Sequence, residues 1–402
     1  METFGTNDPS GYAGGLALSA VDDGPESTIE DSTITGNTSG RAGGGMRATG
    51  ATVVDTTISG NQADVGGGLY LEASSIRSTT ISGNTAGTGG GVYASGSDGN
   101  STIRNSTIAD NSATGGFNPY PGQGGGVFVF GEVKYNASGP PSIRLRTSTV
   151  AGNSAAARGG NLFAYYDGTL EEPFVELSGT LVADGTAPSA SDVGESVGGS
   201  FAAGFSLIES TAGASVVGDP DGSNVLGVDP LLGTLADNGG PTRTKALSPT
   251  SPAIDAGRAF GATTDQRGQA RPVDAAAANE ALGDGADIGA YELSDVTATG
   301  DDDVTAPTTE LTKKPKRKLK AKGKRNLAKA KYRFRGADGG GGPVTFECRL
   351  DKGKFEPCDS PVKEKLDPGK HTFQVRAVDA AGNTDPTPAR SKTKVKRKRK
   401  KN

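Results

Sequence analysis

A phrase of the form Ser-Thr-Ile-x-x-(Ser/Thr)-Thr-Ile-x-x-Asn, closed by glycines and a short apolar pair, recurs through the first 165 residues. A fixed period constrains the fold before any single residue is interpreted, because each copy must be a unit that stacks on the next. The first copy holds Ile29, Ile34, Asn37 and Gly43 to Gly45; the second Val53, Ile58, Asn61 and Gly66 to Gly68. The third holds Ile76, Ile81, Asn84 and Gly89 to Gly91. Ile103, Ile108, Asn111 and Gly124 to Gly126 make the fourth, and Ile143, Val150, Asn153, Gly159 and Gly160 the fifth. The asparagines stand 24, 23, 27 and 42 residues apart, the longer intervals marking insertions at Gly115 to Gln123 and Gly131 to Pro141.

A unit of about 23 residues, rich in Ser, Thr, Ile and Gly and without helical periodicity, cannot bury an apolar face alone. The two aliphatic positions are five residues apart in the first four copies and seven apart (Ile143, Val150) in the fifth. On one strand an odd interval would put them on opposite faces, so a bend separates two short strands. The pair after the glycines (Met46, Leu69-Tyr70, Val92-Tyr93, Val127-Phe128, Leu162-Phe163) supplies a third. Three strands per turn predict a parallel β-helix, and the right-handed rule for parallel crossovers predicts its hand. Equivalent residues then form columns about 4.8 Å apart. Ile34, Ile58, Ile81, Ile108 and Val150 are the expected core stack; Asn37, Asn61, Asn84, Asn111 and Asn153 are the expected amide ladder at a turn. Serines and threonines at alternate sites are expected to face water. Val175 to Asp184 reads as a degenerate last coil, so the coils are placed at about residues 11–185.

The chain carries a net charge of −4 that is divided unevenly. Residues 1–304 hold 13 basic and 36 acidic side chains (−23), and residues 305–402 hold 29 and 10 (+19). Twelve basic residues fall between Lys313 and Arg333 and nine between Arg390 and Lys401. Such density favours polyanions: teichoic or uronic polymers, lipopolysaccharide, anionic headgroups or nucleic acid. Lys316, Arg317, Lys318, Lys320, Lys322, Lys324 and Arg325 are the candidate contacts. The competing reading is a charged strand edge that blocks aggregation. Nucleic acid is disfavoured for want of a recognition helix or stacking aromatics. No apolar run approaches the roughly 18–20 residues of a membrane-spanning helix, so no span is expected. The polar opening Met1 to Gly5 is no secretory leader, and Ala13 to Leu18 match the closing part of a repeat. The expectation is a chain that starts partway through a coil, with its signal peptide missing.

Farther along, Asp229-Pro230-Leu231-Leu232 leads to Asn238-Gly239-Gly240-Pro241-Thr242 and Ser251-Pro252-Ala253-Ile254-Asp255-Ala256-Gly257. Thr264-Asp265-Gln266-Arg267-Gly268, Arg271-Pro272 and Asp287-Ile288-Gly289-Ala290-Tyr291-Glu292 follow in order. Together these motifs, over residues 219–293, resemble the choice-of-anchor Q domain of bacterial surface proteins. The resemblance, which covers residues 11–293, implies a secreted right-handed β-helix of the pectin-lyase-like superfold. Such proteins end in surface-attachment elements, yet no Leu-Pro-x-Thr-Gly motif is present. Residues 294–306, with Asp301 to Asp303, read as a linker. Short alternating segments over 307–396, among them His371 to Val378, read as strands, and the run continuing to Asn383 resembles a bacterial Ig-like module; residues 397–402 form a basic tail. The fold class expected is all-β: a right-handed parallel β-helix followed by a small Ig-like β-sandwich.

Cys348 and Cys358, ten apart in that module, read as a disulfide formed in an oxidising compartment, which argues for export. The superfold implied above hosts polysaccharide lyases and hydrolases, but fold does not carry function. Asp31 and Asp55, with Arg77, Arg104 and Arg146 nearby, read as solvated positions rather than a catalytic set. Asp219, Asp221, Asn224 and Asp229 offer closely spaced oxygens for calcium, weighed against a plain Asp/Gly turn. His371 has no partner for metal or nucleophilic chemistry. The reading is a non-catalytic, monomeric surface or secreted adhesion or structural protein with no catalytic residue and no cofactor, calcium aside. It binds anionic envelope or extracellular polysaccharide; the alternative is a carbohydrate-active enzyme.

Overall fold

The computed structural model describes residues 13–19, 27–95, 100–116, 122–131, 142–166, 173–196, 199–218, 223–274, 279–293, 306–321, 326–337, 344–378 and 383–397. Among them every regular element is a β-strand. The chain divides into two compact units, Met1–Asp295 and Val296–Asn402.

In the first unit one coil consists of Ala51–Val54, Thr57–Ser59, Gln62–Val65 and Leu69–Glu72. Strands of successive coils pair in parallel, and among the described residues they build sheets of eight, eight, four and seven strands. This is a parallel β-helix. The registers lay like on like: Ile34 pairs with Ile58, Ile58 with Ile81, Ile81 with Ile108 and Ile108 with Val150. A second column runs Ile29, Val53, Ile76, Ile103 and Leu145. Burying one such aliphatic chain contributes roughly 1.5–3 kcal/mol. The bend between the columns is a corner at positive φ, occupied by Asp31 (50°), Asp55 (45°), Ser78 (50°), Asn105 (48°) and Thr147 (43°).

Three strands per turn is corrected to four. The additional one is Gln62–Val65, Thr85–Thr88, Ser112–Ala113 and Ser154–Ala155. Its inward column is Ala63, Ala86, Ala113 and Ala155. A single methyl leaves almost no hydrophobic period in the sequence. The stack also continues past residue 185, through Val193–Glu195, Ser200–Gly204, Leu207–Ile208 and Val225–Leu226. The two insertions fall largely on residues 117–121 and 132–141, outside the described residues.

The asparagines form a directed row. Asn37 Nδ2 donates to Asn61 Oδ1 at 3.1 Å, Asn61 to Asn84 at 3.0 Å, Asn84 to Asn111 at 2.9 Å and Asn111 to Asn153 at 2.9 Å. Each accepting oxygen also takes the backbone N–H of the donor residue at 2.9 Å. The amides of Asn61, Asn84, Asn111 and Asn153 donate further to Ile34, Ile58, Ile81 and Ile108 carbonyls at 3.0 Å. Glycines make the room: a Cβ on Gly68 would lie 2.8 Å from Asn84 Nδ2. The row then passes to Asn161, which replaces the third glycine of its run, and ends on Asp192 Oδ1 at 2.7 Å. Each amide along the row sends one N–H to the next member while its own oxygen accepts from the preceding one, so the donating end of the row meets a carboxylate. The logic is that of an acid at a helix N-terminus.

Residues 229–274 and 279–293 fold back as a strap along the second sheet, that of Thr57–Ser59. Gln266 Nε2 donates to Thr80 Oγ1 at 3.0 Å, and Thr107 Oγ1 donates to Gln266 Oε1 at 2.6 Å. Ala290 N donates to Thr149 Oγ1 at 3.0 Å, and Asn105 Nδ2 to the Thr264 carbonyl at 2.7 Å. Thr80, Thr107 and Thr149 are therefore at most 2% exposed, which corrects the expectation that alternate threonines face water. The long-range return of the strap buries them. Its own motifs close on one another: Arg271 pairs with Glu292 at 2.7 Å and Arg267 with Asp265 at 2.8 Å. Arg267 lies 3.7 Å from the centre of the Tyr291 ring.

Among the described residues the second unit has two sheets, of three and five strands. Tyr332, Phe334, Ala328 and Ala330 from one, and Phe373, Val375 and Val395 from the other, share one core. Tyr332 and Phe373 stack with ring centres 3.9 Å apart. The inner faces of the sheets thus meet, as in a β-sandwich. Cys348 and Cys358 are joined by a 2.05 Å S–S bond.

Candidate polyanion-binding surface

Strict alternation in the second unit sends apolar residues inward and cations outward. Ala328–Ala337 buries Ala328, Ala330, Tyr332 and Phe334 and exposes Lys329, Lys331, Arg333 and Arg335. Ala389–Lys396 buries Ser391, Thr393 and Val395 and exposes Arg390, Lys392, Lys394 and Lys396. Strand pairing then sets like charges side by side. Lys318 lies opposite Lys394, and Lys394 opposite Lys370, while Lys320 lies opposite Lys396. On the three-stranded sheet Lys329 faces Lys365 and Lys331 faces Lys363, around a groove of about 360 Å³. Directly opposed residues of neighbouring strands share a face, and equal charges there repel.

Among the described residues of this unit the ion pairs are Arg335–Glu310, Arg376–Glu347 and His371–Asp351, and none of them involves these lysines. Lys316, Arg317, Lys318 and Lys320 of the candidate run are exposed; Lys322, Lys324 and Arg325 lie outside the described residues. The run does not act by itself: its strand Lys318–Lys320 pairs in parallel with the tail strand Ala389–Lys396. Lys363, Lys365 and Lys370 fall outside the two basic runs read from sequence, whereas Lys329, Lys331, Lys392, Lys394 and Lys396 fall within them without being named as contacts. The available signal was basic alternation at every second residue. The two ring nitrogens of His371 face acceptors, Nδ1 the Asp351 Oδ2 and Nε2 the Asp367 carbonyl, both at 2.8 Å. Burial opposes its charging, yet the Asp351 and Asp367 contacts outweigh burial and raise its pKa.

Two of the four calcium candidates, Asn224 and Asp229, fall among the described residues. Asp219 and Asp221 lie outside the described residues. Asn224 Oδ1 accepts the Ser206 N–H at 2.9 Å and its amide donates to the Ala203 carbonyl at 3.0 Å, so the side chain holds a coil edge. Asp229 Oδ1 accepts the Leu231 N–H at 2.7 Å. A different acidic cleft, of about 510 Å³, is lined by Asp184, Asp192, Glu209 and Asp229 at the end of the coils. Burial foremost, then the Glu209 charge, pushes Asp192 up to about 6 against the hydrogen bonds of Gly185 and Asn161. Burial also raises Asp184, with Asp229 and Asp110 adding to the shift and Lys245 opposing it. Among the described residues no group of three His, Cys, Asp or Glu side chains could hold a metal ion.

Asp31 and Asp55 are corner residues, and Arg77, Arg104 and Arg146 share one register column on the first sheet. Arg104 donates to the Phe260 carbonyl of the strap at 3.4 Å, and Arg146 pairs with Glu176 at 3.4 Å. In the strap Asp287 is pushed up to about 7, by burial first and by the Glu292 charge second. Its oxygens accept the Asp255 and Leu293 N–H groups at 3.0 and 2.6 Å, a tie that fixes the strap.

Residues 3–124 match the family described as periplasmic copper-binding protein (NosD). No curated protein and no solved structure matches the chain. The matched stretch has no histidine or cysteine, and Met46 is fully buried in the coil. Imidazole, thiolate and accessible thioether are the donors copper favours, so these residues do not fit that metal. Among the described residues no helix is long and apolar enough to cross a membrane.

Proposed function

We propose that this is a non-catalytic adhesion or structural β-helix protein of the cell envelope or its exterior, held to an anionic polymer by its basic C-terminal module. The observation that carries the reading is the in-register row Lys318, Lys394 and Lys370, with no carboxylate ion-paired to it among the described residues. Such a row weakens the sheet on its own and is relieved when an anion lies across it. The disulfide, the match to a family described as periplasmic and the resemblance to surface-anchored proteins support export. The resemblance to Ig-like spacer modules fits the two-sheet unit.

The test is binding of the full chain to teichoic or uronic polymer across a salt series. Affinity is expected to fall steeply as salt rises, because bound cations displace counterions from the polymer. Binding indifferent to salt contradicts the reading. The acidic cleft lined by Asp184, Asp192, Glu209 and Asp229 favours a second reading, a carbohydrate-active enzyme. Unsaturated uronate products formed by the full chain, with or without calcium, would establish it.

A further inference from the structure

The two sheets of the basic module share their inner faces, so their lysine-bearing faces point in opposite directions. One carries Lys329, Lys331, Lys363 and Lys365; the other carries Lys318, Lys370, Lys392 and Lys394. All eight are exposed. The backbones of packed sheets stand about 10 Å apart, and outward side chains add to that separation. The faces are therefore farther apart than the roughly 8 Å Debye length at physiological salt. Each face acts as a separate electrostatic site.

We propose that the module is a bridge, in which the opposed lysine faces bind two separate chains of a linear polyanion and cross-link them. The inference rests on the polymer-binding reading above and adds its valency. Within a strand, exposed lysines recur at every second residue, about 6.7 Å apart, and across strands at about 4.8 Å. That grid suits a flexible polymer with closely spaced anionic groups lying over several strands. Lysine, a point charge on a mobile stem, does not demand the fixed fork geometry that arginine matches. Two sites on one rigid support turn weak contacts into a network by multivalency.

The experiment titrates the full chain with long-chain inorganic polyphosphate, reading binding by fluorescence anisotropy and cross-linking by light scattering. Wild type is expected to give a scattering maximum that declines with excess polymer, as bridges are replaced by singly occupied faces. Two variants remove one face each: K329Q/K331Q/K363Q/K365Q and K318Q/K370Q/K392Q/K394Q. A third, K329Q/K365Q/K318Q/K394Q, removes the same charge divided between the faces. Both single-face variants should still bind, within about tenfold of wild type, yet lose the scattering maximum; the divided variant should keep it.

Equal scattering from the single-face and divided variants overturns the bridge, since net charge alone would then govern association. Wild type that binds without scattering overturns it too, while leaving polymer binding intact. Wild type that binds no polyphosphate, teichoic or uronic polymer removes the polymer-binding reading, and the bridge with it. A preference for duplex DNA over all of these overturns the assignment to a flexible polymer. Thermal unfolding of each variant, expected at or above the wild-type temperature, separates lost charge from lost folding.

Discussion

Both units of this protein set identical polar side chains against one another on neighbouring strands, with opposite energetic results. In the β-helix the repeated residue is asparagine, which donates and accepts at once, so Asn61, Asn84 and Asn111 satisfy each other in the interior. In the C-terminal module it is lysine, which only donates and carries charge; Lys329 and Lys365 repel across the strands. Repetition of a self-complementary group closes a structure. Repetition of a like charge leaves a face that repels itself.

The sharpest way to break this contrast is to remove one rung. Asn84→Ala deletes donors to Asn111 Oδ1 and the Ile58 carbonyl and the acceptor of two Asn61 N–H groups, all at a site 0% exposed. A loss of about 2–4 kcal/mol is expected, read as a lower urea midpoint for the first unit with its slope unchanged. A variant as stable as wild type would reduce the ladder to decoration.

The end of the row provides a smaller effect through pH. Asp192 has a folded pKa of about 6 against 3.8 in the unfolded chain. Its folded state therefore prefers the proton: this contribution is complete below pH 3.8 and is lost as pH rises through about 6. Asp192→Asn should flatten the fall in stability over that window, and an unchanged pH profile would refute the assignment. The opposite case is the smallest. Lys394→Gln relieves repulsion from Lys318 and Lys370, so the second unit should gain about 0.2–1 kcal/mol at low salt and less at high salt. Destabilisation would show that the row is packed rather than strained.

The β-helix was legible in sequence because its period is direct: Ile34, Ile58 and Ile81 recur at a nearly constant interval, and their columns follow. The alanine strand was not legible, since Ala63 and Ala86 are weakly apolar and sit among polar neighbours. The basic run Lys316 to Lys320 was visible as composition, but its alignment with Lys394 and Lys396 was not, because pairing partners more than 70 residues away leave no local trace. The acceptor role of Asn224 toward Ser206 N was likewise invisible, because it is a tertiary contact between residues 18 apart.

By itself, then, the sequence determined what repeats: the coil, its aliphatic and amide columns, the glycines that clear space for them, and the opposite charge of the two parts. These are properties of residue type and interval, carried by every copy. The tertiary structure alone decided what meets: the strap over Thr80, Thr107 and Thr149, Asp192 at the end of the amide row, and lysines in opposed rows on two faces. Those contacts depend on register between distant segments, which chain closure and burial select and no local pattern encodes.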